Sequence, residues 1–315
     1  MTMRTIRIGT RRSRLALWQA NYVKDGLKRL YPDRDVELVE IVSEGDRTLD
    51  IPLHQAGGKG LFLKELETAL LEGETDLAVH SMKDVTMHLP DGLEIPVLCP
   101  REDPRDAFVS NRFDSLDSMS RGGRIGTCSL RRTCQLKAAY PHLAFENLRG
   151  NVDSRMAKLD SGQYDAIILA VAGLKRLGME SRIRQAISPD ICLPAVGQGV
   201  VGIECRSGDS EIRDLILPMN DPDSAIRVDT ERQVNAALNG GCHAPVAVFA
   251  EPFDDQGEGK LRVRAMVGEL DGSTVLKSDR VGPCAAGHML GEKVAMDLLR
   301  QGARAILDRF GGDRS

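Results

Sequence analysis

Apolar and polar positions along the first two-thirds of the chain switch repeatedly between period two and a helical period. "RTIRIGT" (4–10) alternates as a strand does. The segment near 13–30 reads as a helix in which Leu17, Tyr22, Leu27 and Leu30 are apolar, behind Ser13, a residue type suited to cap a helix N-terminus. "VELVEIV" (36–42) predicts a second strand. "GLFLKELETALLEG" (60–73) predicts a helix through Phe62, Leu66, Ala69 and Leu70, ending at Gly73. "DLAVH" (76–80) reads as a buried strand. "RIGT" (124–127), "AFENL" (144–148) and "DAIILA" (165–170) continue the series, with helical segments near 130–140 and 151–160. Strands alternating with helices predict an α/β fold with a largely parallel or mixed sheet.

Between these elements, 43–60 ("SEGDRTLDIPLHQAGGKG") is polar, glycine-rich and without period. A loop of that length is either a mobile lid over a site or a passive surface segment. "CPREDPRD" (99–106) and "LPAVGQG" (193–199) carry the prolines and glycines of segments that cross between domains, and "NDPDSA" (220–225) marks a further boundary. Beyond it the pattern predicts a helix near 224–238, strands at 245–250, 261–267 and 274–280, and a helix near 287–309, which together make a small α+β domain. No internal repeat is visible.

Length and composition narrow this picture. A chain of 315 residues with 42% apolar and 28% charged residues is an ordinary globular protein of two or three domains. Its longest apolar run, near 166–174, is too short to span a bilayer, and the N-terminus leads straight into a strand pattern, so no secretion signal is expected. The seven cysteines (Cys99, Cys128, Cys134, Cys192, Cys205, Cys242 and Cys284) are odd in number and lack Cys-x-x-Cys spacing. That argues against a disulfide framework or structural zinc and suits a reducing cytoplasm. A net charge of −4 offers no general attraction to nucleic acid or membrane.

Basic residues nevertheless gather where strands give way to helices: Arg11, Lys83, Arg131, Arg132, Arg149 and Arg155, with the hydroxyls of Ser13, Thr127 and Ser129 in the same turns. Strand ends and helix N-termini of this kind receive anions, and guanidinium groups pair with carboxylates in a two-pronged geometry. The pattern implies a small polyanionic ligand. No Gly-x-Gly-x-x-Gly or Walker A motif is present, which speaks against dinucleotides and nucleoside triphosphates. His80 and His243 have no metal-ligand partners at a recognisable spacing. Asp84, after a buried strand, suits a carboxylate that stabilises a developing cation or moves a proton; an N-capping aspartate has the same appearance. Cys242, in the Gly-rich "GGCHAP" (240–245), is either an ordinary loop cysteine or a partly exposed nucleophilic thiol.

"GTRRSRLALWQ", "GGKGLFLKELE", "DLAVHSMKD", "REDPRDAFVS", "GTCSLRRTCQL", "LRGNVDSR", "YDAIILAVAGLKRLG", "LPAVGQG" and "GGCHAPV" follow one another from about residue 5 to 310. In that order they closely resemble the porphobilinogen deaminase (hydroxymethylbilane synthase) family. The resemblance implies two type II periplasmic-binding-protein-like domains, 1–99 with 200–219 and 105–193, plus a small α+β C-terminal domain, 220–315. It implies a dipyrromethane cofactor bound through a thioether to Cys242. On this primer four porphobilinogen molecules condense head to tail with loss of ammonia, and hydrolysis frees hydroxymethylbilane. A cytoplasmic monomer is expected, with no partner beyond this small substrate.

Carried over residue by residue, the resemblance makes Asp84 the catalytic carboxylate. Lys83, Thr127, Ser129, Arg131, Arg132 and Arg155 would bind the cofactor. Arg11, Ser13, Gln19, Arg149, Arg176 and Gln198 would bind substrate, Ser81 would add a further position, and Lys59 and Phe62 would belong to the lid and the helix behind it. Several positions depart from the pattern common in bacterial members: Arg14 and Thr86 where proline is usual, Gln55 where a lid lysine is common, and Cys128 where serine is usual. Two rival functions are a two-lobed binding protein without chemistry and a cysteine acyltransferase. Asp84 and Cys242 weigh against the first, and the lack of a base oriented on Cys242 against the second.

Overall fold

A computed structural model describes residues 4–42, 63–240, 244–253 and 259–310. The chain forms two compact units, Met1–Arg101 with Val200–Ala225, and Glu102–Gly199 with Ile226–Ser315. The first opens with β1 (Ile6–Thr10), α1 (Arg14–Leu30), β2 (Val36–Glu40), α2 (Lys64–Leu71), β3 (Leu77–Ser81) and β4 (Leu93–Leu98). The second begins with β5 (Asp106–Val109), β6 (Arg124–Gly126), α3 (Leu130–Ala139), β7 (Ala144–Glu146), α4 (Val152–Asp160), β8 (Ala166–Ala170), α5 (Val171–Arg176) and β9 (Gln185–Ile187). The chain then returns to the first unit with β10 (Val201–Arg206) and α6 (Ser210–Ile216), and α7 (Pro222–Ala237) follows. The rest of the second unit is β11 (Val246–Phe253), β12 (Lys260–Gly268), β13 (Val275–Pro283), α8 (Gly287–Arg300) and α9 (Ala303–Leu307).

The first sheet has the order β2-β1-β3-β10-β4, and the second β7-β6-β8-β5-β9. In each, the first three strands are mutually parallel and the fourth runs antiparallel to the third. The antiparallel strand is in both cases the one that follows a crossing segment: β5 after 99–105, β10 after 193–199. The two sheets thus repeat one topology that no sequence repeat announces. The third sheet, β11-β12-β13, is wholly antiparallel.

Local sequence accounts for most boundaries. The Ser13 hydroxyl accepts from the Ala16 amide at 3.2 Å and starts α1. Gly73, with φ +74°, ends α2 in a conformation that costs a side-chain-bearing residue energy. The helix expected over 287–309 is two: Gly302 at φ +100° separates α8 from α9. Ile6, Ile8, Leu27, Leu77 and Ile203 fill the first core. Phe108, Ile125 and Ile168 pack one side of the second sheet, and Ile167 and Leu169 the other. Val248, Val263 and Val294 centre the third. Among the described residues no helix is long and apolar enough to cross a membrane.

Candidate functional site

Because β1 and β3 are parallel neighbours, their C-terminal ends deliver two turns to one sheet edge. From β1 come Arg11 and Ser13, whose hydroxyl is taken up in capping α1. From β3 come Ser81 and a short 3-10 turn over Met82–Asp84. Asp84 lies in that turn rather than at a helix N-cap. It is exposed, Lys83 is half-buried, and Met82 and Val85 on either side are buried. Apolar anchors at both ends therefore hold a short polar turn toward solvent. Gln19, buried on α1, donates to the Ser81 hydroxyl at 2.7 Å and ties the two turns together. Behind them, buried His80 and Glu204 approach to 2.8 Å across β3 and β10.

In the second unit the parallel strands β6, β7 and β8 bring three turns to one edge. Thr127, Cys128 and Ser129 follow β6. The Thr127 hydroxyl accepts from the Ser129 amide at 3.2 Å, and Ser129 caps α3 by accepting from the Arg132 amide. Arg149, Gly150 and Asn151 follow β7, where Asn151 caps α4. Arg155 Nε donates to the Gly150 carbonyl at 2.7 Å, and its Nη2 lies 3.9 Å from Cys128 Sγ. Arg149 and Arg155 are half-buried. Arg176, at the end of α5, donates to the Gly199 carbonyl at 2.6 Å.

Arg131 and Arg132 have a partner that the sequence pattern did not assign. Both are 5% exposed and both grip Asp106, at the start of β5, which is fully buried. Arg131 Nη1 reaches its Oδ2 at 2.7 Å and Arg132 Nη2 its Oδ1 at 2.7 Å. Burial alone would raise the Asp106 carboxyl, but the two guanidinium charges and their hydrogen bonds hold it well below the usual range. Gln198 is also buried here, its amide donating to the Pro104 carbonyl at 2.6 Å and to Asp106 at 3.0 Å. Asp106 sits inside the quoted "REDPRDAFVS", yet its role was not legible there. The available signal was an aspartate opening an otherwise apolar strand, "DAFV". Cys242, Lys59 and Phe62 lie outside the described residues, as do Gln55, His243 and the 43–60 segment.

The second edge combines hydroxyls, capped helix N-termini and guanidinium groups, a donor set matched to carboxylates. That donor set suits the acidic side chains of a dipyrromethane.

Comparison with known proteins agrees with that chemistry. Residues 6–214 match the family model described as porphobilinogen deaminase, dipyrromethane cofactor binding domain, and 225–300 match porphobilinogen deaminase, C-terminal domain. Among solved structures, the chain is similar to the methionine-binding protein MetQ at 16% identity, covering 70% of this chain and 91% of that one, with a TM-score of 0.43. It is similar to the periplasmic VFT2 domain of Bordetella pertussis BvgS at 14% identity, with 68% and 85% covered and a TM-score of 0.41. For the alkanesulfonate-binding protein SsuA from Xanthomonas axonopodis pv. citri the identity is 15%, the coverage 69% and 71%, and the TM-score 0.39. With both family models together spanning most of its length, the chain belongs to the porphobilinogen deaminase family, whose members polymerise porphobilinogen onto a dipyrromethane cofactor in tetrapyrrole synthesis.

Proposed function

We propose that this chain is a hydroxymethylbilane synthase that condenses four porphobilinogen molecules in turn and releases the tetrapyrrole by hydrolysis. In this reading Cys242 carries the dipyrromethane through a thioether, in a C-terminal domain of 220–315. Residues 1–99 with 200–219 and 105–193 form the other two domains. The bound dipyrromethane supplies the free pyrrole carbon onto which the first substrate unit is joined. Asp84 offers its carboxylate to the cationic methylene left on porphobilinogen when ammonia departs. Lys83, Thr127, Ser129, Arg131, Arg132 and Arg155 hold the cofactor's carboxylates. Arg11, Ser13, Arg149 and Arg176 receive those of the substrate. Gln19, tied to Ser81, and Gln198, tied to Asp106, lie with these substrate-binding residues, and Lys59 and Phe62 belong to the lid. The enzyme works as a cytoplasmic monomer, without nucleic acid or membrane partners.

The observation that carries this reading is the match of both family models, over 6–214 and 225–300. Intact mass and a dipyrromethane colour reaction on the native protein test it. The expected mass exceeds that of the bare chain by one dipyrromethane, and Cys242→Ala removes the increment. Asp84→Asn keeps the increment and lowers kcat about 10²–10³-fold. A native chain of unmodified mass sinks the cofactor assignment, and an Asp84→Asn enzyme with near-normal turnover removes Asp84 from the chemistry.

A further inference from the structure

Arg131 and Arg132 occupy the first turn of α3, directly after the Ser129 cap, and that turn holds no acidic residue. Cations belong at the opposite end of a helix, because the exposed amides of the first turn already make it positive. Two buried guanidinium groups in this position break a local rule of helix design, and such breaks mark functional sites. Asp106 offsets them only in part: one carboxylate faces two guanidiniums, and the other side chains bonded to it among the described residues are the neutral Gln198 amide and the Cys192 thiol, 3.4 Å away. The cluster keeps a surplus positive charge beside the capped end of α3.

The same carboxylate fixes the direction of both side chains. Arg131 is held between Asp106 and the Leu193 carbonyl, its Nη1 donating to each, at 2.7 and 2.5 Å, with Nη2 3.2 Å from Asp106 Oδ1. Arg132 is held between Asp106, through Nε at 3.0 Å and Nη2 at 2.7 Å, and the Ile168 carbonyl at 2.9 Å. Among the described residues, loss of Asp106 leaves Arg131 the Leu193 carbonyl and the Cys192 sulfur at 3.6 Å, leaves Arg132 the Ile168 carbonyl, and frees the rotamers that the carboxylate held.

We propose that Asp106 is a positioning residue for the reaction: it locks Arg131 and Arg132 in the one arrangement that receives the carboxylates of the pyrrole chain, without touching that chain itself. The inference rests on the reading of those arginines as cofactor-binding residues. A group of this kind governs how well the acidic chain is held and leaves the chemical step to other residues.

The test uses the full-length protein and the variants Asp106→Asn, Asp106→Glu and Arg132→Gln. Thermal unfolding, the fraction carrying dipyrromethane by intact mass, and kcat and KM for porphobilinogen are measured on each. For Asp106→Asn the loaded fraction is expected to fall at least fivefold. In the loaded remainder KM is expected to rise at least tenfold while kcat changes less than threefold. Asp106→Glu is expected to restore most of the loading, because it restores the charge, and to keep a raised KM. An Asp106→Asn protein with normal loading and KM, however destabilised, overturns the inference. If that variant does not fold, Asp106→Glu decides: a raised KM supports the inference, and normal loading with normal KM overturns it. Normal loading and KM in Arg132→Gln refute the underlying reading of the arginines. Impairment in Arg132→Gln alone, with both Asp106 variants normal, refutes only the positioning role.

Discussion

Substitution of Gly150 by alanine tests how the turn after β7 sets two of the basic side chains. Gly150 has φ +113°, a backbone region closed to side-chain-bearing residues. A Cβ placed there would lie 2.0 Å from Ser154 Oγ. The serine could turn away, but its hydroxyl donates to the Asn151 carbonyl at 3.0 Å, a bond worth about 1 kcal/mol. Holding a non-glycine residue in the forbidden region costs about 1–3 kcal/mol more. Gly150→Ala should therefore destabilise the fold by about 2–4 kcal/mol, summing those contributions, as read from urea unfolding of the variant beside the parent. Ser154→Ala removes the 2.0 Å collision, keeping a 3.2 Å approach to the residue-154 Cβ, and leaves the dihedral strain, so in that background the penalty should shrink by about 1 kcal/mol and the rest should remain. The same change disturbs the Gly150 carbonyl that accepts from Arg155 and the neighbouring Arg149 carbonyl that accepts from Lys158, so KM for porphobilinogen should rise with it. A penalty below about 0.5 kcal/mol would refute the conformational argument. Its disappearance in the Ser154→Ala background would show that crowding alone was at work.

Two further expectations concern titration. Asp76 is fully buried and bonded to Arg7, Arg4 and Arg206. Burial pushes its carboxyl up, but the hydrogen bonds of Arg7 and the charges of Arg4 and Arg7 bring it below the ordinary value of 3.8. A depressed carboxyl stabilises the fold fully above its unfolded value and loses that contribution as pH falls through the folded one. Unfolding free energy should therefore drop as pH falls below about 4, and Asp76→Asn should flatten that slope; an unchanged slope would contradict the pairing. Burial also pushes the Cys134 and Cys205 thiols up to about 12 and raises Cys192. Cys128 and Cys284 are half-exposed. Iodoacetamide at pH 8 should thus label Cys128 and Cys284 first and spare Cys99, Cys134, Cys192 and Cys205 until unfolding, as read by peptide mass; early labelling of Cys192 would contradict its burial.

Periodicity, caps and turn residues carried the local structure. Ser13, Ser129 and Gly73 each act through neighbours within a few residues, so α1, α3 and the end of α2 were readable from the chain. The basic turns were readable for the same reason, since a strand end followed by a helix start is a short-range signal. Strand β5, "DAFV", was not: an aspartate followed by three apolar residues shows no period, and its place inside a sheet comes from β8 and β9, which lie far along the chain. Only the tertiary structure decided that the two mixed sheets share one strand order, because the fourth strand of the first sheet follows its parallel strands in the chain and that of the second precedes them. It alone also decided what Arg131 and Arg132 face. A guanidinium in a helix's first turn reads the same whether it points to solvent or to a buried carboxylate, and Asp106 is brought to it by sheet pairing rather than by any spacing in sequence.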